Sequence, residues 1–316
     1  MNIITKLLCS AACLAATSVS AKDLEVTHWW TSGGEAAAVS TLAKAFNEKT
    51  DHNWIDGAIA GGGGTSIPAI ISRIIGGEPM GATQLNHGRQ AQELIEAGMM
   101  TDLTEIAEAQ GWRDIVNPVS LLDSCTVDGR VYCVPVNIHS AQWLWVSHGA
   151  FEKAGLAIPK NWDEFVAGSA ELEKNGIVPL AMGQQGWQQS IAFGALVLGV
   201  VGVDKFLEVT GDKNAEVAAG PEWTRAFQSV ANARELARKS KVQDWNLATN
   251  MVITDTAGGQ IMGDWAQGEF QVAGEVAGVD YSCLPGMGFN EILDTGGDAF
   301  YFPVIDDADT KAAQME

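Results

Sequence analysis

Leu24, Val26 and His28 alternate with Glu25, Thr27 and Trp29, the two-residue period of a strand. Ser32, Gly33 and Gly34 interrupt it, and from Glu35 the positions Val39, Leu42, Ala43 and Phe46 fall on one helical face. The alternation then repeats. Asn53 to Ala60 reads as a strand, followed by Gly61 to Gly64. A helix follows with the stripe Ile67, Ile70, Ile71, Ile74 and Ile75, closed by Gly76-Gly77. Ala82 to Leu85 predicts a third strand and Gln90 to Ala97 a third helix. Strand and helix in strict alternation predict a parallel sheet with helices on its faces.

Beyond Asp102 to Gln110, a further helix, Cys125 and Cys133 flank an Asp128-Gly129 turn signal. Trp143 and Trp145 alternate with Leu144 and Val146, which predicts a long extended passage crossing between two lobes. Helices are predicted at Gly149 to Ala154, Trp162 to Lys174, Ser190 to Leu198, Val203 to Thr210 and Pro221 to Lys239, with a strand at Ile177 to Met182. Gly258 to Trp265 repeats the opening arrangement of strand, turn, Trp and carboxylate before a helix at Ala266 to Ala273. Tyr281 to Leu284 and Asp298 to Val304 predict short strands, and a last helix begins near Asp307.

Composition narrows the partners. The chain has 39 acidic against 19 basic residues in 316, which argues against nucleic acid and against an anionic membrane surface. Eleven Trp against three Tyr favour flat stacking surfaces. Lys6, the apolar run Leu7 to Ala16 and the small residues Val19-Ser20-Ala21 predict a signal peptide cleaved after Ala21, hence export to the periplasm. The run Ile191 to Val203 is too short to span a bilayer.

Export changes the reading of the cysteines. Cys9 and Cys13 leave with the leader, and neither has the leucine three residues upstream that a lipoprotein signal carries. Cys125 and Cys133 are expected to form a hairpin disulfide. A three-residue loop, Asp128-Gly129-Arg130, would set Cys125 opposite Cys133; a two-residue loop would set it opposite Tyr132, with the thiols on opposite faces. No metal spacing occurs, and no cofactor is expected. The four glycines lack the following Lys of a phosphate loop, and Ser66 stands where a dinucleotide fingerprint needs its last Gly.

The candidate chemistry lies where strands end: Trp29, Trp30, Glu35, Gln84, Asn86, Asn137, His139, Trp187, Trp265 and Asp298. These are stacking faces beside hydroxyl-binding groups, a set that suits a sugar ring with an apolar face and a polar rim. Trp245 is a further candidate. Ser147 and His148 make no nucleophile elbow, because Trp145 occupies a position that must be Gly. An enzyme alternative remains: a secreted glycosidase or polysaccharide lyase using Glu35 with Asp264 or Asp298 as a carboxylate pair.

The chain resembles the periplasmic sugar-binding subunits of ABC transporters, in the glucose/mannose group. The exported start, Val26 to Glu35, Val134 to His139 with Trp143-Leu144-Trp145, and Met262 to Phe270 carry the resemblance. It implies a two-lobe α/β fold of the periplasmic binding protein type, with ligand in a cleft between hinge-linked lobes. The lobes are expected at residues 22–137 plus about 281–316, and at 138–280. Implied too are sugar contacts from the Trp-Trp-Glu segment, Gln84, Asn86, His139, Trp265 and Asp298; a monomer; and inner-membrane permease subunits as partners. Such proteins bind without catalysis. Relatives continue past the position of Glu316, so the chain reads as a fragment expected to bind poorly and aggregate.

Overall fold

The computed structural model describes residues 21–316. The signal-peptide reading, with Lys6, Cys9 and Cys13, lies outside the described residues.

Two separate sheets organise the chain. β1 (Asp23–His28), β2 (Asn53–Ala58) and β3 (Ala82–Asn86) are parallel, with β1 central among them. Helices α1 (Gly33–Lys49) and α2 (Gly63–Ile75) connect them. A strand from late in the chain pairs antiparallel with β3, and β4 (Cys133–Pro135) closes that edge of the five-stranded sheet. Ile70 and Ile74 of α2 are buried against this sheet, but Ile75, which the stripe includes, is 62 % exposed at the helix end.

β5 (His139–Ser140) leaves the first sheet and β6 (Trp143–Ser147) enters the second. There β6 lies between β9 (Tyr281–Pro285) and β8 (Ala257–Met262), and β7 (Val178–Ala181) forms the far edge beside β8. The expected crossing at Trp143 to Val146 is thus corrected. Both faces of β6 are covered, with Leu144, Trp145, Val146 and Ser147 buried, so its alternating tryptophans mark an inner strand. The crossing is carried by β5, which pairs antiparallel with β10 (Thr295–Gly296), Ser140 facing Thr295 and His139 facing Gly296. Two chain segments therefore run side by side between the sheets. After β10, β11 (Asp298–Tyr301) is the strand that returns to β3 and β4. The return expected at about residue 281 thus comes later, because β9 pairs with β6 in the second sheet.

Helices α3 (Trp162–Lys174), α4 (Gly186–Val201), α5 (Pro221–Leu236), α6 (Trp245–Ile253) and α7 (Ala266–Ala273) belong to the second half, and α8 (Ala308–Gln314) ends the described chain. α6 escaped the periodicity reading because its sequence, WNLATNMVI, is apolar without a sharp stripe. The apolar run in α4 is core packing: Ala192, Ala195, Leu196, Val197 and Leu198 are buried. Among the described residues no single helix is long and apolar enough to cross a membrane.

Cys125 and Cys133 are disulfide-bonded, with Cα atoms 5.1 Å apart. The register is not the one that was expected to permit the bond. Val127 pairs with Arg130 and Thr126 with Val131, a two-residue loop with positive φ at Asp128 and Gly129. Alternation fails as a guide here because Cys125 is no strand residue. It caps the short helix Ser120–Ser124 with helical φ and ψ, which turns its side chain toward Cys133.

Candidate functional site

β1 and β8 end alike, each delivering tryptophan and carboxylate to the start of a helix. At the end of β1, Trp29 is half-buried against the core of the first sheet, and Trp30 is 8 % exposed with Phe300 edge-on at 5.8 Å. The Trp30 backbone N–H donates to His28 Nδ1 at 3.2 Å, and His28 Nε2 lies 2.5 Å from Asp56 Oδ1. That pairing leaves Nδ1 as the acceptor and fixes the ring's tautomer. Glu35 turns back over its own helix start, where Oε2 accepts the Thr31 and Ser32 backbone N–H groups, each at 3.2 Å. Burial, helped by the nearby Asp298 charge, pushes the Glu35 carboxyl up to about 7 against these two hydrogen bonds.

At the end of β8, Asp264 Oδ2 accepts from the Ser140 backbone N–H (3.1 Å) and hydroxyl (3.2 Å), which ties the crossing strand β5 to the start of α7. Burial raises the Asp264 carboxyl above its ordinary range. Trp265 lies over Gly263, where a Cβ would collide with its ring. Its indole meets His139 edge-on at 5.1 Å and Trp187 at 6.3 Å. On β11, Asp298 is 6 % exposed, receives the Asn137 side-chain amide at 3.0 Å, and has His139 Nε2 3.8 Å from Oδ2.

These groups converge on one cavity of about 1240 Å³ between the two sheets. Trp29, Trp30, Glu35, Asn86, Asn137, His139, Trp187, Trp265 and Asp298 all line it. Gln84 does not. It is fully buried beneath the wall, where its Oε1 accepts the Trp29 backbone N–H at 2.9 Å, so it holds the tryptophan segment rather than facing the cavity. Trp245 also reaches the wall, although it is 7 % exposed and belongs to the core of the second sheet.

Sequence reasoning missed Gln185. Its Nε2 donates to Asp244 Oδ1 (2.9 Å) and to the Gly61 carbonyl (3.3 Å), and its Oε1 accepts from Trp187 Nε1 (2.9 Å) and Gln188 Nε2 (2.8 Å). It thereby joins α4 to the glycine loop before α2 and fixes the Trp187 ring. The signal was available: an amide two positions before a tryptophan that follows a strand's end. Asp244 and Gln90 also line the cavity and were not singled out. Among the described residues no group of three or more His, Cys, Asp or Glu is placed to hold a metal ion.

A protein of Rhizobium meliloti named as a probable sugar-binding periplasmic protein is 36 % identical over 310 residues, covering 97 % of this chain and 74 % of its own length. One of Brucella melitensis with the same name is 36 % identical over 297 residues, 93 % of this chain and 69 % of its own. A solved structure from work on xylan utilization by Caldanaerobius polysaccharolyticus superimposes with a TM-score of 0.74 at 16 % identity, covering 93 % of this chain and 77 % of that one. This likeness shows the fold, two α/β lobes of the periplasmic binding protein type. The model of the bacterial extracellular solute-binding proteins matches residues 30–298, and the chain belongs to that family.

Proposed function

We propose that this exported protein binds a monosaccharide, glucose or a similar aldohexose, between its lobes and delivers it to an ABC-type permease. The observation that carries the reading is one cavity holding indole faces beside carboxylates that already spend an oxygen on the protein. Glu35 Oε2, Asp264 Oδ2 and Asp298 Oδ2 each accept from protein groups, which orients these carboxylates for ligand hydroxyls. Trp29, Trp30, Trp187 and Trp265 supply the apolar faces. The names carried by the Rhizobium and Brucella relatives support sugar as the ligand class. A sugar bridging both lobes stabilises the closed arrangement by its extra contacts there. The leader, a lobe boundary at 137–138 with the return to the first lobe after β9, a monomeric state and the permease contact belong to this same reading.

Calorimetry with a panel of hexoses, pentoses and oligosaccharides tests it. Saturable binding of glucose or an epimer, with longer sugars weaker, is the expected result; a flat response across the panel sinks the sugar reading. One observation favours longer ligands. The cavity exceeds the ~300–1,000 Å³ usual for small-molecule sites, which leaves room beyond one ring.

Glu35, pushed up to about 7, also has one property of a glycosidase acid. The panel's oligosaccharides, recovered intact after long incubation, separate binding from turnover.

A further inference from the structure

The two lobes meet at a point where neither side has a side chain. Gly34, in the first turn of α1, lies so close to Gly268 of α7 that a Cβ on Gly34 would sit 2.7 Å from the Gly268 Cα and carbonyl carbon. A Cβ on Gly268 would sit 3.1 Å from the Gly34 Cα. Beside this contact the Gly34 backbone N–H donates to Glu269 Oε1 at 2.8 Å. The other Glu269 oxygen faces Gly33, 3.4 Å from where its Cβ would be.

The division of labour at the start of α1 is informative. A helix leaves its first N–H groups without intrahelical partners. Glu35, on α1 itself, takes the Thr31 and Ser32 N–H groups just before the helix. Gly34 is served by a carboxylate from the other lobe, 235 residues away in sequence. When the lobes separate, this N–H and the Glu269 carboxylate both return to water, and the favourable placement of an anion at the helix's positive end is lost.

We infer that Glu269 is a positioning residue for lobe closure: by capping α1 across the cleft it holds the closed arrangement, and so tightens ligand binding without touching ligand. Gly34 and Gly268 are glycines because the cap reaches its acceptor distance only if the two backbones touch. The inference takes from the proposed function only that closure tightens binding, and its first test needs no sugar.

Small-angle scattering on the full ligand-free chain compares wild type with Glu269→Ala, Glu269→Gln and Gly34→Ala. Glu269→Ala is expected to enlarge the radius of gyration. Glu269→Gln, which keeps an acceptor oxygen, is expected to fall between. Gly34→Ala leaves the carboxylate in place but wedges the backbones apart, so it should match Glu269→Ala even if the latter folds poorly. With a sugar that binds wild type, Glu269→Ala should raise the dissociation constant about tenfold, carried by faster release at an unchanged association rate. Unchanged scattering in both Glu269→Ala and Gly34→Ala would make the contact a permanent pivot and overturn the inference. If wild type binds no sugar, the proposed function fails, while the ligand-free comparison still decides this point.

Discussion

Asn137 and Asp298 hold each other through two hydrogen bonds. The Asn137 side-chain amide donates to Asp298 Oδ2 at 3.0 Å, and the Asp298 backbone N–H donates to Asn137 Oδ1 at 2.8 Å. One residue lies just before the outgoing crossing strand β5 and the other just after the returning strand β10, so the pair clasps both crossings at the cavity wall. Asn137→Ala should lower sugar affinity by about 1.5–3 kcal/mol, the worth of a hydrogen bond to a charged group. Asn137→Asp should cost more, because two carboxylates then face each other where one is 6 % exposed. Calorimetric titration of the two variants checks the order; equal losses would show that the amide's donor role is not what matters.

Glu35 gives the chain a pH signature. Its folded-state carboxyl stands at about 7, raised from an ordinary 4.5, chiefly by burial. The unfolded chain therefore releases this proton first as pH rises. Stability from Glu35 is full below about 4.5, falls as pH climbs through about 7, and levels off above. Urea midpoints of wild type and Glu35→Gln, measured from pH 4 to 8, should diverge in that window, the variant staying flatter. Parallel curves would place the Glu35 proton elsewhere.

The sequence carried the sheets and the residues at their ends for one physical reason: strand and helix periods report burial, and ligands in such folds gather where strands stop. It misled where side-chain direction depends on more than period. Gln84 and Asn86 share one face of β3 by two-residue alternation, but Gln84 lies one pair deeper in the strand. It is fully buried with its Oε1 taken by the Trp29 N–H, and Asn86 at the strand's end is the one that reaches the cavity. Cys125 reaches Cys133 through a helix-cap conformation that no strand register describes. Trp143 and Trp145 had the alternation of a strand and were one, but which sheet claims a strand is settled by packing partners far off in sequence, here β8 and β9. The Glu269–Gly34 contact spans 235 residues and left no local mark.

Trp30 and Trp265 should respond differently to truncation although both line the cavity. Trp30 is 8 % exposed and packed on Phe300, so Trp30→Ala should cost about 3–5 kcal/mol of folding stability as well as affinity. Trp265 is half-buried, with His139 and Trp187 as ring neighbours, and its loss should fall mainly on binding, by at least about 1.4 kcal/mol or tenfold. Thermal unfolding without ligand, set beside titration, separates the two. A Trp265→Ala protein with wild-type affinity would return that ring to the core.

Gln185 is the test of whether the second rim of the cavity needs its hydrogen-bond hub. Each of its four side-chain hydrogen bonds is used, two donated to Asp244 and Gly61 and two accepted from Trp187 and Gln188. Gln185→Glu keeps the shape and both acceptances but removes both donations, and it sets a carboxylate against Asp244. The Gly61 link, the one that joins α4 to the loop before α2, is then lost while the Trp187 indole stays held. Gln185→Ala loses all four. If Trp187 orientation governs affinity, Gln185→Glu should bind nearly as well as wild type and Gln185→Ala about tenfold worse. If the link between lobes governs it, both should weaken, and Gln185→Glu should recover partly at low pH as its carboxyl is protonated and regains a donor. Titration of both variants at pH 5 and 8 reads the difference; wild-type affinity in both at either pH would remove Gln185 from the site.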